Sequence, residues 1–177
     1  MPMHRNGTIL NSRGFTLMEL TLVAGIISVL SGLAALSVQG AIGRYDAESG
    51  IRMLHVELLR ARTLAMQKNR QHFMVIKKGP PATYQLYEDT NDSGGNEPDD
   101  GDNAAWASPR TLAYASSWSG TIILDTRGVV KTDTSSLTSS IAIAFSVSSG
   151  APEYDCLQVN AMRISLGKSN GGSCVPR

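Results

Sequence analysis

The chain has no proline between Pro2 and Pro80, so nothing across that interval forces a helix to break. It has no charged side chain from residue 20 to residue 43, which excludes an ordinary solvated surface helix there. Histidine is scarce: His4, His55 and His72 stand apart from one another. No Gly-x-Ser-x-Gly elbow and no phosphate-cradling glycine loop occurs, so the familiar frames for nucleophilic, metal-assisted and phosphoryl chemistry are missing and no catalytic activity is expected. Cysteine is limited to Cys156 and Cys174, without a further Cys or a well-placed His to complete a zinc site. Net charge is nearly absent, with 16 Lys+Arg against 15 Asp+Glu, so there is no global attraction to polyanions.

What is present begins with that charge-free run. It exceeds the roughly 20 apolar residues that a membrane-spanning helix needs. Glu19 lies at its start, where an ionised carboxylate is costly unless paired. A basic leader (His4, Arg5, Arg13) precedes it and ends at Gly14, directly before Phe15. Basic residues stay cytoplasmic, which puts the N-terminus inside and the remainder outside. A cleavable secretory signal does not fit, because the apolar region is too long and no Ala-x-Ala-like site ends it. Residues 1–14 therefore read as a leader, 15–43 as an apolar helical segment, 44–70 as the amphipathic half of the same helix, and 71–177 as a β-rich domain. Gly25, Gly32 and Gly40, with Ser28, Ser31 and Ser37, supply small side chains for close helix approach.

Past Gly43 the apolar residues Ile51, Leu54, Leu58, Ala61 and Ala65 recur at steps of three and four, one buried stripe. Arg52, Glu57, Arg60 and Lys68 fall largely off it, and Glu48–Arg52 forms a favourable i,i+4 pair. After Arg70 the period shortens to two. Strands are expected at 72–78, 83–88, 121–124, 129–131, 141–147, 157–159 and 162–166, with turns at Gly79-Pro80-Pro81 and Asp125-Thr126-Arg127-Gly128. Residues 89–103 form an acidic, glycine-rich loop, and 135–140 a serine-rich connector. A long helix followed by an antiparallel sheet is an α+β plan. If the N-terminus is cytoplasmic, both cysteines reach the oxidising side, where a Cys156–Cys174 disulfide persists and contributes about 3 kcal/mol.

The segment Gly14-Phe15-Thr16-Leu17-Met18-Glu19-Leu20 resembles the class III signal of type IV pilins and type II secretion pseudopilins. Ala61-Arg62, Ala65 and Asn69 resemble the end of the long helix in the GspH/FimT family of minor pseudopilins and pilins, where such a pattern leads into the first strand. The resemblance implies a pilin-like fold. It implies a prepilin peptidase that cuts after Gly14 and methylates the new amine of Phe15. It also implies a single-pass inner-membrane subunit that joins other pilins or pseudopilins in a type II secretion pseudopilus or a type IV pilus. In such a filament Glu19 would pair with the Phe15 ammonium of a neighbour and set the register, a known use of buried polar pairs. Many type IV pilins carry a proline in the apolar stretch; this sequence does not.

Two ligands are weighed beside this reading. Asp89, Asn91, Ser93 and Asp100 partly fit the oxygen spacing of a calcium loop, with Gly94 at the sixth position, although the twelfth is not the usual glutamate and Pro98 interrupts. No other cofactor is expected. Some FimT-type pilins take up DNA through a basic tail motif; here Arg163, Lys168 and Arg177 stand in that region, with one lysine in place of a double arginine, so nucleic acid is the less favoured partner. A membrane-anchored β-domain with an uncut N-terminus is the remaining alternative.

Overall fold

The computed structural model describes residues 14–132, 140–147 and 152–177, and leaves the side chains of 34–39 undescribed. The leader up to residue 13, most of the serine connector and the side chain of Ser37 lie outside the described residues. The chain divides into two compact units, Met1–Gln39 and Gly40–Arg177.

The helix α1 runs Leu17–Lys68, as the missing prolines and the two apolar patterns require. Its start is capped by Thr16, whose hydroxyl accepts the Glu19 N–H at 3.2 Å. Its end is a Schellman turn: Asn69 takes the left-handed conformation (φ 52°) and the Arg70 N–H reaches the Ala65 carbonyl at 3.2 Å. In the second unit, Ala47, Ile51, Leu54, Leu58, Ala61 and Ala65 are all fully buried, which is the expected stripe extended by one turn.

That stripe packs on two antiparallel sheets where one was expected. The first contains β1 (His72–Lys77), β2 (Thr83–Glu88), β3 (Asn103–Ala104), β4 (Arg110–Thr111), β5 (Gly120–Leu124) and β6 (Val130–Thr132). Its order is β3-β2-β1-β5-β6, with β4 also on β2. The second contains β7 (Ile141–Ala144), β8 (Cys156–Val159), β9 (Ile164–Asn170) and β10 (Ser173–Pro176), in the order β10-β9-β8-β7. Met74, Ile76, Leu86, Ile122 and Leu124 from the first sheet, and Ile143, Leu157, Val159 and Ile164 from the second, close the core over the helix. The overall class is therefore α+β.

The two sheets are joined by residues 103–118. On one side the Leu112 N–H donates to the Ala82 carbonyl and the Ala82 N–H to that of Tyr114. On the other, the Ser117 N–H donates to Ala144 and the Ser146 N–H to Ala115. β7 ends at Ala144 rather than residue 147: beyond it the Phe145 N–H still donates to the Asp155 carbonyl at 2.9 Å, while Phe145 also bridges to Ser116 of the joining segment. The final strands also differ from expectation. β9 runs on to Asn170, and the Gly171–Gly172 turn, with both glycines at positive φ, sends the tail back as β10.

Two charged positions differ as well. Glu48 pairs with Arg44 at 3.2 Å rather than with Arg52, whose guanidinium lies over the Tyr154 ring instead. Glu57 is not off the stripe but buried, held by Arg110 from β4 at 2.8 Å.

Candidate functional site

Local chemistry fixes the N-terminal segment. Thr16 and Glu19 stand at the first and fourth positions of a Thr-x-x-Glu capping box, and the half of the box made by the Thr16 hydroxyl is formed. The Leu20 N–H adds a bond to the Thr16 carbonyl at 3.1 Å. Glu19 therefore sits in the first helical turn, where the helix dipole favours a negative charge. Its carboxylate is exposed and has no ion-pair partner among the described residues. Phe15 and Leu17 are both 81% exposed. Gly14 has open space where a Cβ would stand.

The helix beyond is apolar on every side. Leu20, Leu22, Val23, Ile26, Ile27, Val29, Leu30 and Leu33 are all exposed large side chains, and they cover more than two full turns without leaving a polar face. Two of its hydroxyls turn back on the helix: Thr21 and Ser28 donate to the carbonyls of Met18 and Ala24, which hides their polarity from the surroundings. Among the described residues, no helix is long and apolar enough to cross a membrane. The described side chains stop at residue 33 and resume at 40, within the 20–43 run that was expected to span.

The acidic loop is closed on itself. Asp89 is buried, and its carboxylate accepts the N–H groups of Ser93 at 3.0 Å and Gly94 at 3.2 Å. Asn91 also accepts the Ser93 N–H at 3.0 Å and donates to Asp99 at 2.8 Å. Asp99 accepts the Gly101 N–H at 2.8 Å, which holds its carboxyl below the ordinary value despite some desolvation. A Cβ at Gly101 would fall 2.3 Å from the Asn91 amide nitrogen, so the glycine is needed for this closure. Of the four residues considered for calcium, Asp89 and Asn91 are committed to loop hydrogen bonds, Ser93 contributes its backbone N–H, and Asp100 is exposed. Among the described residues no group of three or more His, Cys, Asp or Glu side chains is placed to hold a metal ion.

A groove of about 480 Å³ adjoins this loop, with Arg70, Asp89, Asp125, Arg127 and Lys131 on its walls. Burial pushes the Asp125 carboxyl upward, but the N–H groups of Val129 and Arg127 and the charges of Lys131 and Arg127 outweigh it and hold the group below its ordinary value. Arg70 donates to the Thr90 carbonyl at 2.9 Å. The groove's charges thus serve its own turns.

The three basic residues considered for nucleic acid are not equivalent. Arg163 and Arg177 are exposed. Lys168 is occupied internally, with Asp155 at 2.9 Å and the Pro152 carbonyl at 2.6 Å.

Cys156 and Cys174 are bonded, as expected. They lie on β8 and β10, with β9 between them, and their Cα atoms are 5.9 Å apart. Next-nearest strands of a flat sheet are about 9.6 Å apart, so the β9–β10 hairpin curls over toward β8. Gly167 on β9 makes room: a Cβ there would lie 2.8 Å from the Cys174 sulfur and 2.5 Å from the Val175 carbonyl oxygen.

Comparison of the chain with protein-family models, with characterised proteins and with solved structures gives no match.

Proposed function

We propose that the protein is a minor pseudopilin or minor pilin subunit, processed after Gly14, held in the inner membrane by residues 20–43, and then assembled into a filament. The observation that carries this reading is the exposed helix of residues 17–33, apolar all round and opened by a lone carboxylate at Glu19. A helix of that kind needs lipid or other apolar helices around it, because soluble monomers rarely expose so much contiguous apolar surface. Its only acidic group lies one turn from Phe15, the residue whose amine becomes the N-terminus after cleavage.

Assembly transfers the helix from lipid into a core of like helices. Glu19 meets the ammonium of a neighbouring Phe15, and the pair fixes the axial offset between subunits. The second unit supplies the folded surface that selects neighbours, and its disulfide suits the oxidising side of the membrane. The role is structural, in protein secretion or pilus biogenesis.

The test is Glu19→Val, expressed beside the wild type in cells carrying the peptidase and the assembly machinery. Membrane insertion is expected to be retained and recovery in sheared filaments to fall by about tenfold or more, since a buried charge pair is removed. Undiminished recovery of the variant in filaments would count against the reading.

A further inference from the structure

The two ends of the β1–β2 hairpin differ in charge: a lysine pair stands at its turn, and an acidic loop, with Arg70, Arg127 and Lys131 across the adjoining groove, at the other end. Lys77 ends β1 and Lys78 begins the hairpin turn; both are exposed, and neither side chain has a polar partner among the described residues. The other end of β2 leads into residues 89–102, which hold Asp89, Asp92, Glu97, Asp99, Asp100 and Asp102 and no lysine or arginine. At about 3.3 Å per residue the two ends of β2 are about 17 Å apart.

The lysine turn lies at the end of the unit where α1 enters it. Ala82, just after Pro81, is hydrogen-bonded to Leu112 and Tyr114. Leu112 reaches to 4.0 Å from the Cβ position of Gly50, and the Tyr114 hydroxyl donates to the Gly43 carbonyl at 2.9 Å. Gly43 is the last residue of the charge-free run. Other cations at this end are already engaged: Arg44 with Glu48, Arg52 with the Tyr154 ring, and Lys168 with Asp155. Asp46 and Glu153 are exposed there too, and Glu153 is held against Glu48 on the side of the second sheet. Of the cations named at this end, Lys77 and Lys78 are the two without a polar or aromatic partner among the described residues.

We propose that this turn docks on an anionic phospholipid surface and keeps the acidic loop turned away from it. The inference rests on the membrane-anchored reading above. Given that reading, the bilayer ends near Gly43, and the turn bonded through Ala82 and Tyr114 to Gly43 is close to its headgroups. Two lysines alone bind anionic lipid weakly, but a tethered pair acts at high effective concentration, so even a few-fold preference orients the unit. Docking leaves the outer end, with its exposed carboxylates, facing incoming partners.

The test uses the full chain reconstituted into vesicles of phosphatidylcholine alone or mixed with phosphatidylglycerol, after flotation has confirmed association. Amine acetylation is then followed by mass spectrometry. Lys77 and Lys78 are expected to label roughly threefold or more slowly in the anionic vesicles, while Lys131 labels alike in both. About 0.5 M salt should remove the difference, since the Debye length then falls below the reach of the contact. Equal labelling of Lys77 and Lys78 in the two vesicle types, in protein that floats, would overturn the docking and leave the anchored reading intact. Protection of Lys131 instead would also overturn it, because the opposite end would then face the lipid. A chain that does not float would overturn the anchored reading, and the docking with it.

Discussion

The Glu57 carboxylate on α1 and the Arg110 guanidinium on β4 meet at 2.8 Å, across 53 residues of sequence. Glu57 is 7% exposed, and the same guanidinium stacks 4.1 Å above the centre of the Trp106 ring, which in turn meets the edge of Tyr84. One arginine thereby fixes the segment between the sheets to the helix. Arg110→Ala leaves a buried carboxylate with only Arg60, at 3.6 Å, beside it. The Arg110 side chain is 40% exposed, so the loss is set below that of a fully buried pair, at about 1–3 kcal/mol. Urea denaturation of the full chain in detergent, followed by the fluorescence of Trp106 and Trp118, checks the midpoint, and an unchanged midpoint in Arg110→Ala would contradict the prediction.

Gly167 should tolerate no side chain. The Val175 carbonyl oxygen stands 2.5 Å from the Cβ position and belongs to the backbone of β10, so it cannot swing aside. Gly167→Ala is expected to destabilise by about 1–3 kcal/mol, as overpacking does. The loss should persist in a Cys156→Ser, Cys174→Ser background, which itself lowers stability by about 3 kcal/mol. If the alanine were neutral once the disulfide was gone, the sulfur rather than the strand would be the obstacle.

His72 should confer an acid sensitivity. It is 2% exposed; burial lowers its pKa, and a hydrogen bond to the Arg70 carbonyl and the charge of Glu88 only partly offset this. Above the ordinary value of 6.5 both folded and unfolded chains are neutral at this ring, and its contribution is fully present. As pH falls through 6.5, the unfolded chain gains a proton that the folded chain resists, so stability declines toward the lower folded-state value. Asp125 acts in a separate window: its folded-state pKa lies below the ordinary 3.8, so its contribution is fully present above that value and is lost as pH falls from there toward the lower folded value. Denaturation midpoints measured across the weakly acidic range should drop for the wild type and flatten for His72→Gln. An unchanged slope in that variant would assign the sensitivity elsewhere.

Much of the helix was legible because its signals are local and repeated. The absence of proline and the three-and-four spacing from Ile51 to Ala65 located both the element and its buried face. β2 matched because Tyr84 and Leu86 alternate cleanly with their neighbours, and both are buried. The short strands β3 and β4 were not legible: two residues hold no period, and their pairing is set by residues 103–118 lying between the sheets. β10 hid in a tail of glycine and serine whose strand form depends on pairing with β9. Glu57 was misplaced because its burial depends on Arg110, a contact no helical periodicity contains. At the candidate site, the Thr16-x-x-Glu19 spacing spells a capping box, of which the structure forms the half made by the Thr16 hydroxyl. It gives the glutamate a local role in starting the helix beside the proposed role in registry.

The central claim is that the chain is cut after Gly14 and used as a filament subunit, and the intact mass of protein extracted from membranes of its native host tests it most directly. The account predicts a mass for residues 15–177 plus one methylene unit for the methylated Phe15 amine, less two hydrogens for the Cys156–Cys174 bond. A mass that still contains residues 1–14 would contradict it.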